Sequence, residues 1–288
     1  MADNPQKSAP SAEGEKLKIY FLPNLLTAGN LFCGFVALTK IVEANLAPDV
    51  NGMVHWGPIK VALGFILLAC IFDLFDGRVA RMGGHESPFG REFDSLADLV
   101  SFGVAPAFLV HRVVLRDVFR DEYAEFGWFI ASIYLICGAF RLARFNCLSA
   151  MKAPGAGKDF LGFPIPSAAG LVASLTLFII NMNDKEKDLG RWGYLLPVVL
   201  VFLSVMMVSE VRYPSFKTLG LRSTATFTKV VISALFIGSL LILREKILYY
   251  VLPLFFTGYL VYGFIRPRIS RAWRREIEED DDEPEAAG

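Results

Sequence analysis

Four aspartates, Asp73, Asp76, Asp94 and Asp98, fall within one run, DLFDGRVARMGGHESPFGREFDSLAD, at the ends of two long apolar stretches. A charge at the centre of a bilayer costs about 2.5 to 3.5 kcal/mol on insertion scales, so four carboxylates beside two hydrophobic segments require a compensating partner. On helices, Asp73 and Asp76 are three residues apart and Asp94 and Asp98 four apart, which places each pair on one face. Two neighbouring helices can then present all four to a common point. Hard oxygen donors of this kind suit Mg²⁺, Mn²⁺ or Ca²⁺, whereas zinc or copper would call for Cys or His. The remaining negative charge is met either by two cations or by one cation and a basic residue, for which Arg81 is the nearest candidate, alternatively a ligand for substrate phosphates.

The elements that must carry these residues are membrane spans. The chain has 288 residues, 54% of them hydrophobic, a mean hydropathy of +0.45 and 25 Phe, richer in apolar side chains than soluble domains. Crossing a bilayer core of about 30 Å takes about 20 apolar residues in a helix. Eight stretches approach that length, near 22–41, 58–80, 94–113, 126–145, 165–182, 192–210, 228–244 and 246–265. The last two are read as a hairpin broken at Arg244, Glu245 and Lys246. The expected fold is therefore an all-α polytopic helix bundle of about eight transmembrane helices. Residues 1–18 read as a polar arm, 19–265 as the membrane domain, and 266–288 as a basic, then acidic, tail.

Charge sets the orientation. With the N-terminus inside, most Lys and Arg fall on the cytoplasmic side, among them Arg78, Arg81, Arg91, Arg141, Arg144, Lys152, Lys158, Arg212 and Lys217. Only the loop with Arg112, Arg116 and Arg120 opposes this. The aspartate run then faces the cytoplasm, on the side where a water-soluble anionic nucleotide is delivered. Formal net charge is zero, so no basic field indicates nucleic acid as a partner. Cys33, Cys70, Cys137 and Cys147 lie in or beside apolar segments without CxxC spacing and read as small hydrophobes. Three histidines, far apart, make no metal site. The segment Lys16–Phe21 suits either a short surface helix or a plain entry to the first span.

Between the acids, Gly77 and Ala80 leave the helix surface bare, open to a flat ring or a diphosphate, while Gly83, Gly84, Pro88 and Gly90 read as a tight connection. Small residues also let membrane helices pack closely. The whole pattern is Asp73, two residues, Asp76, Gly77, two residues, Ala80, Arg81, eight residues, Gly90, three residues, Asp94, three residues, Asp98. It resembles, at every position and gap, the signature of the CDP-alcohol phosphotransferases, membrane enzymes that move a substituted phosphate from a CDP-linked donor to an alcohol. The resemblance implies a six-helix core and two divalent cations, Mg or Mn, held by Asp73, Asp76 and Asp94 with Asp98 alongside. Asp98 would also be the general base, and Gly77, Ala80, Arg81 and Gly90 would line the CDP site.

Outside the signature, LPNLLTAGNLFCGF (22–35), CGAFRLARFN (137–146), GFPIPSAAG (162–170) and RYPSFK (212–217) are similar to the phosphatidylserine synthase branch. That likeness implies CDP-diacylglycerol as donor, L-serine as acceptor, membrane lipid as surroundings, a homodimer, and a place in a bacterial inner membrane with the site facing the cytoplasm. Arg141, Arg144 and Lys217 are candidates for holding acceptor or phosphate, because guanidinium grips carboxylate and phosphate with two parallel bonds; the other reading of the two arginines is anchoring of topology. Asn24, Thr27 and Asn30 reach either cytidine or a neighbouring helix. Competing functions are a sibling enzyme using glycerol 3-phosphate or inositol phosphate, a divalent-cation transporter, and a scaffold with incidental acids.

Overall fold

A computed structural model describes residues 20–47, 49–50, 54–82, 87–119, 124–151, 160–182, 194–213 and 248–266. Among the described residues, seven helices form the bundle: α1 (Phe21–Glu43), α2 (Gly57–Met82), α3 (Pro88–Leu115), α4 (Ala124–Met151), α5 (Ile165–Met182), α6 (Leu195–Val208) and α7 (Leu248–Ile265). Their sequences are long apolar runs whose backbone groups are satisfied internally, as a hydrocarbon environment demands. Five of them, α1 to α5, are long and apolar enough to span a membrane; α6 and α7 are shorter apolar helices. The predicted span at 228–244, the arm 1–18 and nearly all of the tail lie outside the described residues.

Helix α1 lies against α2 and α3, α2 against α5, α4 against α6, and α5 against α7. In α3 and α5, 67% of the most apolar stretch is buried, against 28–33% in α1, α2 and α4, so α3 and α5 form the interior and the others present faces to lipid. Phe102, Leu109, Ile165, Leu171, Leu203 and Met207 belong to the shared core, while Phe32, Phe35, Phe129 and Phe140 stand on the outer surface.

The third span begins earlier than its hydropathy predicts. Ser87 caps it, accepting from Gly90 N at 3.0 Å, and Pro88 occupies the first turn, where its missing N–H costs nothing. Pro88 and Gly90 are thus helical and not part of a loop, and they carry the polar segment with Asp94 and Asp98 on the same rod as the apolar remainder. Two stretches of that rod, Leu99–Val104 and His111–Leu115, are π-helical, a local widening that α-helices rarely contain and that concentrates at functional sites.

The only strands among the described residues are two residues each: β1 (Phe160–Leu161) and β2 (Arg212–Tyr213) pair antiparallel with Phe160 opposite Tyr213. They tie the α4–α5 connection to the end of α6. Gly162 follows β1 at φ +79°, a conformation open to glycine.

Candidate active site

The acids converge. One carboxylate oxygen from each of Asp73, Asp76 and Asp94 lies within 4.8 Å of the others, which brings α2 and α3 together at one end of the bundle. Asp76 is 4% exposed and Asp98 5%. Asp98 lies beside the trio, within electrostatic reach of Asp73, Asp94 and Asp76, although the three-oxygen grouping does not include it. Helix α1 supplies polar partners to both helices: Thr27 Oγ1 donates to Asp76 Oδ2 at 3.0 Å, and Asn30 Nδ2 to Asp98 Oδ1 at 3.0 Å. Of the two sequence readings for these residues, the structure gives the interhelical one, and its target is the acids themselves.

The donor set fits a divalent cation. It contains oxygen ligands only, as Mg²⁺ or Mn²⁺ prefers, and Asp94 Oδ1 is buried without a hydrogen-bond partner, a costly condition unless another group completes it.

A cavity of about 320 Å³ opens against the cluster. Gly77, Ala80 and Gly90 line it with Asp76 and Asp94, so three of the four residues expected to receive CDP share one wall with the acids. The fourth, Arg81, falls in the last turn of α2, its side chain outside the described residues. Tyr20, Pro23, Asn24, Thr27, Ser87, Arg91, Phe145 and Ser149 complete the lining. Arg91, Phe145 and Ser149 were not singled out by sequence reading. Arg91 follows the signature glycine directly, and its side of α3 could have been inferred from Asp94, one turn on. Phe145 and Ser149 carry no signal of their own. Asn24 Nδ2 is also buried and has no partner among the described residues, a donor at the cavity wall.

The two candidate arginines of α4 part company. Arg141 is 7% exposed, its guanidinium lies over the Phe145 ring at 5.6 Å, and its charge reaches Asp98 and Asp73. Arg144 points the other way. Its Nη1 donates to Val208 O at 2.8 Å and its Nη2 to Leu161 O, Met207 O and Ser209 O at 3.0 to 3.2 Å. It caps the C-terminus of α6, where free carbonyls and the negative end of the helix dipole welcome a cation. The structure therefore gives Arg144 a task other than the expected contact with acceptor or phosphate. Lys217 lies outside the described residues.

The cysteines are free thiols, as expected of small apolar residues. Fold and site together define a class: a polytopic membrane protein with a cation-ready carboxylate cluster at one end of its bundle, facing a cavity of ligand size. The family model for CDP-alcohol phosphatidyltransferase matches residues 20–209, and the chain belongs to that family of transferases.

Its curated relatives agree with one another. The chain is 34% identical to a CDP-diacylglycerol–serine O-phosphatidyltransferase of Helicobacter pylori, over 86% of this chain and 91% of that protein. It is 34% identical to the Bacillus subtilis protein of the same name, over 68% and 92%. An archaetidylserine synthase of Methanothermobacter thermautotrophicus is 30% identical over 69% and 72%. The transporter and scaffold readings are not favoured: the family is enzymatic, and the acids gather at one end instead of lining a path.

Proposed function

We propose that this protein transfers the phosphatidyl group of CDP-diacylglycerol to the hydroxyl of L-serine, producing phosphatidylserine and CMP. One observation carries the proposal: the acids of α2 and α3 meet beside a cavity walled by Gly77, Ala80 and Gly90. The choice of serine leans on the names of the relatives. Those names do not favour glycerol 3-phosphate or inositol phosphate.

In this reading the donor's cytidine diphosphate enters between α1, α2 and α3, against the bare surface of Gly77, Ala80 and Gly90, with Arg91 at hand for a phosphate. Asp73, Asp76 and Asp94 would hold divalent cations, two of them and of the Mg or Mn type; when bound, such ions neutralise charge on the diphosphate and keep attacking and leaving oxygens in line. Asp98 takes the serine hydroxyl proton as the oxygen attacks the lipid-bearing phosphorus. The bond from that phosphorus to CMP breaks, and CMP leaves with the electron pair. Arg141, buried beside the acids, offsets their excess negative charge and is placed to hold an anionic group of either substrate. Phosphatidylserine, being a lipid, leaves into the membrane. The distribution of Lys and Arg supports a site facing the cytoplasm, and the family resemblance supports an inner membrane and a homodimer.

The test is an acceptor screen with the purified protein in detergent or vesicles containing CDP-diacylglycerol. Labelled serine should enter lipid with equimolar release of CMP, and excess chelator should stop turnover until divalent cation is restored. Incorporation of glycerol 3-phosphate or inositol phosphate without serine would overturn the choice of acceptor. Full activity in chelator would overturn the metal role.

A further inference from the structure

Asn30 lies within α1, 0% exposed, and reaches across to α3 to donate its Nδ2 to Asp98 Oδ1. A second contact sets its height. The backbone carbonyl of Asn30 accepts from Ser101 Oγ at 2.9 Å, and Ser101 stands three residues beyond Asp98 on the same helix. At this point the two helices nearly touch: a Cβ on Gly34 would lie 2.8 Å from Ser101 Cα, a distance that real side chains do not adopt. Asn30 and Asp98 are therefore held at a fixed offset by close backbone approach and one short hydroxyl-to-carbonyl bond.

The other end of the Asn30 amide argues that the donor is its purpose. Asn30 Oδ1 is buried and accepts no hydrogen bond from the described residues, which burdens the fold. Leucine has the same number of side-chain heavy atoms and lacks that orphaned acceptor. Thr27, one turn earlier, offers a contrast, since its bond goes to Asp76, a member of the three-oxygen cluster. Asn30 serves the acid that stands outside it.

We propose that Asn30 is a positioning residue for acceptor attack: by holding Oδ1 of Asp98 it fixes the carboxylate plane and leaves Oδ2 as the oxygen that takes the serine proton. The proton passes from the serine hydroxyl to Oδ2, the serine oxygen bonds to phosphorus, and the bond to CMP breaks. This rests on the reading of Asp98 as general base. Asn30 itself touches neither substrate.

The test compares Asn30→Leu, Asn30→Ser and Asp98→Asn as purified full-length proteins, measuring kcat, the KM for CDP-diacylglycerol and for serine, and thermal unfolding in detergent. Loss of orientation at a reacting group costs up to about a hundredfold. Asn30→Leu should lower kcat per folded molecule about ten- to a hundredfold and leave the KM for CDP-diacylglycerol within about twofold, with little net change in unfolding, because one orphaned acceptor, Asn30 Oδ1, is exchanged for another, Asp98 Oδ1. Should the leucine variant not fold, Asn30→Ser, smaller and still polar, carries the same kcat and KM expectation. A normal kcat in a folded Asn30 variant, with Asp98→Asn inactive, overturns the positioning role and leaves the base intact. An active Asp98→Asn overturns both. A fall in stability matched by an equal loss of active protein, with kcat per folded molecule unchanged, also overturns the proposal, since that is what packing alone would do.

Discussion

Two polar regions beside the second half of α4, the carbonyls around Arg144 and the acids of α2 and α3, treat charge in opposite ways. Around Arg144, four carbonyls from the β1 strand and the end of α6 close on one guanidinium, and the arrangement is complete as the chain folds. Around the acids it is not. Asp94 Oδ1 and Asn24 Nδ2 are buried with no partner among the described residues, and three carboxylate oxygens crowd within 4.8 Å. Folding tolerates this deficit because something else finishes the site. The lesson is that a polar cluster's function is written in what it lacks, while a cluster with every bond made is architecture.

That contrast predicts opposite responses to mutation. The largest effect should come from the acids: Asp94→Asn or Asp98→Asn should reduce kcat by at least about a thousandfold in a serine-incorporation assay. In chelator, thermal unfolding should stay put or move upward, because one negative charge has gone from a buried cluster in which carboxylates outnumber cations, and the asparagine still offers an oxygen to accept. Destabilisation of both variants in chelator would blur the distinction between the two regions. Next in size, Arg144→Ala should leave KM values alone and cost about 2 kcal/mol of stability, read as an earlier unfolding transition, since several carbonyls lose a charged donor at once. A selective rise in the KM for serine would return Arg144 to substrate binding. Arg91→Ala, at the cavity wall, should raise the KM for CDP-diacylglycerol about tenfold with little change in unfolding. The smallest effect belongs to Ser149→Ala, within about twofold on every kinetic constant, because the serine lines the cavity without reaching the acids.

Much of this site was legible in the sequence because its parts are adjacent there. Asp73 to Asp98 span a single run, and the spacings of three and four place each pair on one helix face. The span boundaries followed hydropathy, except where polar residues extend a helix: Ser87 and Pro88 are an N-terminal cap signal, yet the hydropathy of residues 88–93 reads as a loop. What remained hidden depends on rotation about axes that a sequence does not specify. Arg141 and Arg144 look alike, three residues apart on an apolar helix, and end in different company. The partnership of α1 with the acids is similarly invisible, because Thr27 and Asn30 gain meaning from residues 49 and 68 positions away.

The π-helical turn at Leu99–Val104 has a consequence for how this helix tolerates change. Each residue advances an α-helix by about 100°, and a wider turn absorbs one additional residue without breaking the rod. The stretch bearing Asp94 and Asp98 is thereby set at an azimuth that an uninterrupted α-helix would not give it relative to the apolar stretch beyond. Removing a single residue between 99 and 104 would let the backbone relax into uniform winding. It would also swing both carboxylates about a quarter turn away from α2, with the bundle still assembled around them.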